Sequence, residues 1–152
     1  EAGEQCNYPV SNCDILPTIS SLAGNENEEF SKIDGGSLKL LLSGEKNATV
    51  KRSVDGIFFH VPYRNGIALK RPHSAIRKGD FKLIKFQDNG EVLLFNLAGD
   101  LAENKDISKI NPQKANELEK TLDQYLSDVK APKWKEGITW KDKPLETFNS
   151  HH

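Results

Sequence analysis

Apolar positions recur along this chain in two rhythms, helical near each end and alternating in the middle. In DILPTISSLAG, residues 14–24, the residues Ile15, Ile19 and Leu22 share one helical face, Asp14 stands where a cap belongs, and Gly24 suits the end of the turn. A polar stretch from Asn25 to Ser31 follows. IDGGSLKLLLSGE then offers Ser37 as a cap ahead of Leu38, Leu41 and Leu42 at helical spacing, which predicts a second short helix with one apolar face.

From Val54 the period falls to two. Ile57, Phe59 and Val61 alternate with Phe58, His60 and Pro62, the mark of a strand partly covered on both faces, and HSAIRKG reads as another short strand ending at Gly79. The strongest local signal is FKLIKFQ-DNG-EVLLFNL, two β-prone runs around Asn89-Gly90, which predicts a hairpin closed by a type I′ turn. Because Val92 to Leu97 is almost wholly apolar, that strand is expected at the centre of the sheet. Pro112 opens a helix running to about residue 129, about 27 Å long, whose stripe is Ala115, Leu118, Leu122, Tyr125, Leu126 and Val129. Pro132 is expected to end it. These elements define an α+β fold, a small antiparallel sheet with a hairpin packed on a long C-terminal helix and preceded by short helices. Three segments follow: a helical stretch 1–45, the sheet and helix 46–131, and an extended tail 132–152.

Composition refines the picture in two places. The net charge of -1 conceals a basic window, residues 64–85, where seven cations face Asp80 alone for a local charge of +6. Cys6 and Cys13 lie too far apart for a redox C-x-x-C pair and match no zinc knuckle, so they read as unpaired or locally paired thiols. No apolar run approaches the roughly 20 residues of a membrane span, so no membrane partner is expected. Aromatic residues are nearly missing between positions 64 and 85, which makes nucleic acid a poor match for the basic window. Asn47-Ala48-Thr49 is a glycosylation sequon that reads as a surface turn, and Trp134 and Trp140 sit in the polar tail, placed to pack locally.

Four ordered segments resemble the carboxy-terminal third of the sulfatase family within the alkaline-phosphatase superfamily. They are PVSNCDILPTISSLAG, IDGGSLKLLLSGE, FFHVPYRN, and SAIRKGDFKLIKF followed by EVLLFNLAGDLAENKDIS, together spanning about residues 9–130. Leu40 and Leu101 stand where the family commonly has proline. The resemblance implies a parent enzyme that hydrolyses sulfate esters, with a sulfated carbohydrate as substrate, a formylglycine nucleophile made from the cysteine of a C-x-P-x-R motif, and a divalent metal, usually calcium. Neither cysteine here fits that motif, since Cys6 leads into Asn-Tyr-Pro-Val and Cys13 into Asp-Ile-Leu-Pro. The nucleophile and the metal ligands are therefore expected upstream, in a core domain that would be this chain's partner. No cofactor is expected in the chain itself, which should be catalytically silent alone, and a periplasmic or extracellular setting is implied.

Candidate binding residues come from the strand at 57–61 and the basic window. His60 lies on the strand face opposite Ile57, Phe59 and Val61, at what the resemblance implies is the mouth of the active site. Arg64, Arg71, His73 and Arg77 carry donors suited to sulfate or carboxylate oxygens, with His60 and Arg64 ranked first and Arg71 and His73 second. The rivals are a free-standing module that holds an anionic glycan through the basic window, and a fragment of a related phosphatase or phosphodiesterase.

Overall fold

The structure, a computed structural model, describes residues 3, 5–25, 33–63 and 71–134. The chain divides into two compact units, Glu1–Ile57 and Phe58–His152.

In the first unit a 3-10 turn, Asn12–Asp14, leads into α1, Ile15–Leu22, and α2 is a single turn, Lys39–Leu42. Asp14 does not cap α1 as its position suggests. Its buried carboxylate turns back instead: Oδ2 accepts from the Ser11 amide at 2.7 Å and Arg52 Nη2 at 2.6 Å, and Oδ1 accepts from the Gly36 amide at 2.9 Å and Arg52 Nε at 2.9 Å. Arg52 Nη2 also donates to the Pro9 carbonyl, so one ion pair ties together three chain segments. Thr18 Oγ1 donates to the Asp14 carbonyl and accepts from the Leu38 amide, which draws α1 and α2 together. The glycines of the Asp34-Gly35-Gly36 run permit this packing: a Cβ on Gly35 would lie 1.9 Å from the Cys13 carbonyl oxygen, and one on Gly36 2.3 Å from that of Lys51. Ser37 accepts from the Lys39 amide at 3.2 Å, while Leu38 takes the cap position. Cys6 and Cys13 are free and exposed.

The second unit is a four-stranded antiparallel sheet in the order β1-β2-β3-β4, with strands Ile57–Val61, His73–Lys78, Phe81–Phe86 and Val92–Asn96, and the helix α3, Pro112–Asp128. Alternation sorts its side chains. Ile76, Leu83 and Leu94 meet Ala115, Leu118 and Leu122 of α3 in one cluster, with Phe58, Phe81, Val92 and Leu126 packed around it. Ala75, Ile84, Phe86 and Phe95 form a second buried cluster on the other face. Phe58 stacks on Tyr125 with ring centroids 3.8 Å apart.

Three expectations are corrected. β4 lies at the edge of the sheet order, not at its centre. Its apolar run is explained by burial on both faces, and its outer backbone is satisfied by the following loop, where the Leu94 amide donates to Asp106 Oδ1 at 2.9 Å and the Ile107 amide to the Leu94 carbonyl at 2.8 Å. The hairpin turn is not type I′, because Gly90 has φ 73° but Asn89 does not share the positive φ which that turn requires. The loop is longer, closed by the Phe86 amide on the Glu91 carbonyl, and Asn89 serves through its side chain, whose oxygen accepts from the Glu91 amide. The helix ends before Pro132 can act. Lys130 takes a φ of 51°, its amide donates to the Ser127 carbonyl and the Ala131 amide to that of Leu126, a Schellman ending that leaves Val129 51% exposed. At the other end Pro112 occupies the first helical position, as the sequence predicts, and Asn111 Oδ1 accepts from the Lys114 amide.

Candidate functional site

On the helix-facing side of the sheet, beyond the hydrophobic cluster, the alternation that buries Phe58, Ile76 and Leu83 places His60, Ser74 and Gln87. They form a connected polar chain. His60 Nε2 lies 2.8 Å from the Pro132 carbonyl, which only accepts, so that nitrogen carries the proton and Nδ1 accepts from the Ser74 hydroxyl at 2.9 Å. Gln87 Nε2 donates to Ser74 Oγ at 2.9 Å, and Gln87 Oε1 accepts from the Trp134 amide at 3.1 Å. The segment after α3 is thereby clipped onto the sheet. A groove of about 480 Å³ opens here, lined by His60, Gln87, Lys85, Asp123, Leu126 and Trp134 among others. Both ring nitrogens of His60 are engaged, so in this arrangement it positions backbone rather than transferring protons.

Lys85 at the groove wall bonds both oxygens of Asp123, at 2.9 and 2.7 Å, and pairs with Glu119 at 2.9 Å. Burial opposes its charge, yet the bonds to Asp123 and Glu119 outweigh burial and raise its pKa.

The other predicted residues lie elsewhere. Arg71 and His73 belong to the opposite face of the sheet from His60, so the structure does not bring them together with it. Arg71 spreads its guanidinium over the Phe86 ring, 3.7 Å from the centroid, and pairs with Asp88 at 2.8 Å and Glu91 at 2.9 Å while also donating to Asn89. These carboxylates, Asp88 first, raise its pKa. His73 is buried, and its Nδ1 lies 2.9 Å from the Arg71 carbonyl. Together the two residues pin the hairpin loop to the start of β2. Arg64 lies outside the described residues, as does Trp140.

The basic window is less basic in space than in sequence. Besides Arg71 and Lys85, Lys82 meets both oxygens of Glu103 at 2.6 and 2.9 Å, and Lys78 approaches Glu117 at 3.7 Å. Arg77 is different: its Nε is buried with no hydrogen-bond partner. Among the described residues no group of three or more His, Cys, Asp or Glu is placed to hold a metal ion, so these side chains do not fit a calcium cage. Nor is any described helix long and apolar enough to cross a membrane.

Sequence reasoning missed Ser74 and Gln87 as partners of His60. The shared parity of residues 81, 83, 85 and 87 along β3 and just beyond it was the available signal for Gln87. The Asp14–Arg52 pair, 38 residues apart, left no local signal at all.

A small antiparallel sheet under one long helix, preceded by short helices, defines an α+β fold. The chain belongs to the family described as N-sulphoglucosamine sulphohydrolase, C-terminal, whose model matches residues 1–132. Similar folds occur in solved sulfatases. The 2-O GAG sulfatase BT1596 is 22% identical with a TM-score of 0.61, the alignment covering 78% of this chain and 25% of that one. BT4656, solved in complex with D-glucosamine-2-N,6-O-disulfate, is 28% identical with a TM-score of 0.56, covering 77% of this chain and 24% of that one. Ps i-CgsB, solved with k-i-k-neocarrahexaose, is 24% identical with a TM-score of 0.61, covering 93% of this chain and 28% of that one. The chain thus spans about a quarter of the length of these structures. No curated protein matches it.

Proposed function

We propose that this chain is the C-terminal portion of a sulfuric ester hydrolase acting on a sulfated carbohydrate, inactive alone and completed by an upstream core domain that carries the formylglycine nucleophile and calcium. The observation that carries this reading is the family match over residues 1–132 in a chain that covers only a quarter of the sulfatases it resembles. A second feature supports it. Ile15, Leu16, Ile19 and Leu22 of α1 and Leu42 of α2 are each more than half exposed, an apolar surface of the kind that is covered by a partner.

His60, Arg64, Arg71 and His73 are the substrate-rim candidates. In this reading Arg64 meets the sulfated sugar, His60 shapes the rim by holding the Pro132 segment in place, and Arg71 and His73 keep the hairpin end rigid. The parent acts in the periplasm or outside the cell. Local neutralisation of Arg71, Lys78, Lys82 and Lys85 weighs against a free-standing module that grips polyanions by charge.

The test is activity. The purified chain should not hydrolyse an aryl sulfate, whereas the polypeptide extended by its upstream coding sequence should, and His60→Ala in the extended protein should raise KM more than it lowers kcat. Enzyme-like turnover by the chain alone would overturn the proposal, and so would phosphate-ester but not sulfate-ester hydrolysis by the extended protein.

A further inference from the structure

Arg77 sits on β2 on the face turned away from α3, directly across from Lys82 of β3. Two cations facing each other on one sheet surface repel, and the carboxylate that relieves the pair goes to Lys82 alone, whose ammonium holds both oxygens of Glu103. Arg77 is left half-buried, its Nε sealed from solvent and unbonded, and no carboxylate among the described residues is bonded to it. Guanidinium stays charged at any pH a protein survives, so it cannot escape burial by losing a proton as a lysine would. A sequestered, permanently charged donor calls for an acceptor that the described residues do not supply.

We infer that Arg77 is a docking anchor, built to receive the carboxylate of an Asp or Glu from the polypeptide that precedes this chain. This rests on the reading of the chain as the C-terminal portion of a longer enzyme, and goes beyond it by naming the contact. The length of the relatives supplies the source of the partner, since about three quarters of their polypeptide lies outside the matched region. Charge supplies its chemistry: a carboxylate meeting the accessible part of this half-buried guanidinium offsets the Arg77–Lys82 repulsion and supplies the counter-charge that Lys82 already has in Glu103. It is a positioning residue and touches no reacting atom.

The experiment compares Arg77→Met and Arg77→Lys in two contexts, the 152-residue chain and the polypeptide extended by its upstream sequence. Met keeps the aliphatic stem and removes only the charge and donors. In the chain, Arg77→Met should leave the thermal midpoint unchanged or raise it. In the extended protein it should lower the midpoint by roughly 3 °C or more, with Arg77→Lys in between. Single alanine replacements of upstream Asp and Glu should then reveal one whose effect vanishes in the Arg77→Met background. An equal fall in both contexts would place the partner inside the chain, no change in either would show that Arg77 anchors nothing, and no coupled acidic residue would refute the carboxylate. Sulfate-ester turnover by the extended protein, measured on the same samples, separates failure of this inference from failure of the functional reading.

Discussion

Replacing Asp14 by Asn should open the first unit, and the structure gives the size of the effect. The carboxylate accepts four hydrogen bonds, two on each oxygen, from the amides of Ser11 and Gly36 and from Arg52 Nε and Nη2. An amide has one oxygen. If it stays at the Oδ1 position, its NH2 group points at the Ser11 amide and Arg52 Nη2, donor against donor, and Arg52 loses its counter-ion in a site where the two side chains are 10% and 0% exposed. Breaking such a pair on one side costs about 3–5 kcal/mol. At about 1.4 kcal/mol per decade, the opening equilibrium shifts by roughly 10² to 10⁴. The assay is amide hydrogen exchange of Ser11, Gly36 and Leu38 by NMR, which reports this unit alone. Their exchange should accelerate up to the ceiling set by complete unfolding of the unit, while Leu83 and Leu94 in the sheet serve as internal references. The double variant Asp14→Leu, Arg52→Met should recover much of the loss, because it removes both charges. Acceleration of less than about threefold in Asp14→Asn would refute the assignment of this pair as the clamp of the unit.

Other consequences are measurable with simpler means. Burial works against ionisation of Asp14, but the bonds from Arg52, Gly36 and Ser11 overcome it and hold its pKa below the usual value; the pair's contribution should therefore be fully present above about pH 4 and vanish as pH falls through the lower folded value, and Asp14→Asn should flatten this acid limb in a stability-versus-pH series. Gly35→Ala places a methyl 1.9 Å from the Cys13 carbonyl oxygen, so it should destabilise the first unit by more than about 3 kcal/mol, read as faster exchange of the Gly36 and Leu38 amides or faster proteolysis within the unit. Leu118→Ala, at a side chain with 0% exposure in the cluster between α3 and the sheet, should cost about 2–5 kcal/mol in urea denaturation, whereas Val129→Ala should stay within about 0.5 kcal/mol.

Strand and helix positions were legible wherever a periodic face meets a core. The alternation through residues 73–96 and the Ala115–Leu118–Leu122 stripe are written in the sequence because burial there depends on local spacing. Strand order was not, since Val92 to Asn96 is apolar for a reason that composition cannot separate from centrality: both its faces are covered while its edge is capped by Asp106 and Ile107. Asn89-Gly90 marked the turn correctly but not its type, which depends on side-chain bonds from Arg71, eighteen residues away in sequence. The surroundings of the candidate residues were not legible for the same reason. Arg71 and His73 advertise anion-binding chemistry, yet what they do is set by Asp88, Glu91 and Phe86, contacts that only the folded register creates.

The clip formed by His60 and Gln87 also bears on where this subdomain can be cut. The family match stops at residue 132 and α3 at Asp128, yet one polar link, from Gln87 to the Trp134 amide, lies beyond both. A shortened version ending at either point would strand one side-chain oxygen of Gln87, and the shorter would strip His60 of its acceptor as well. The smallest intact version of this subdomain therefore extends at least to Trp134.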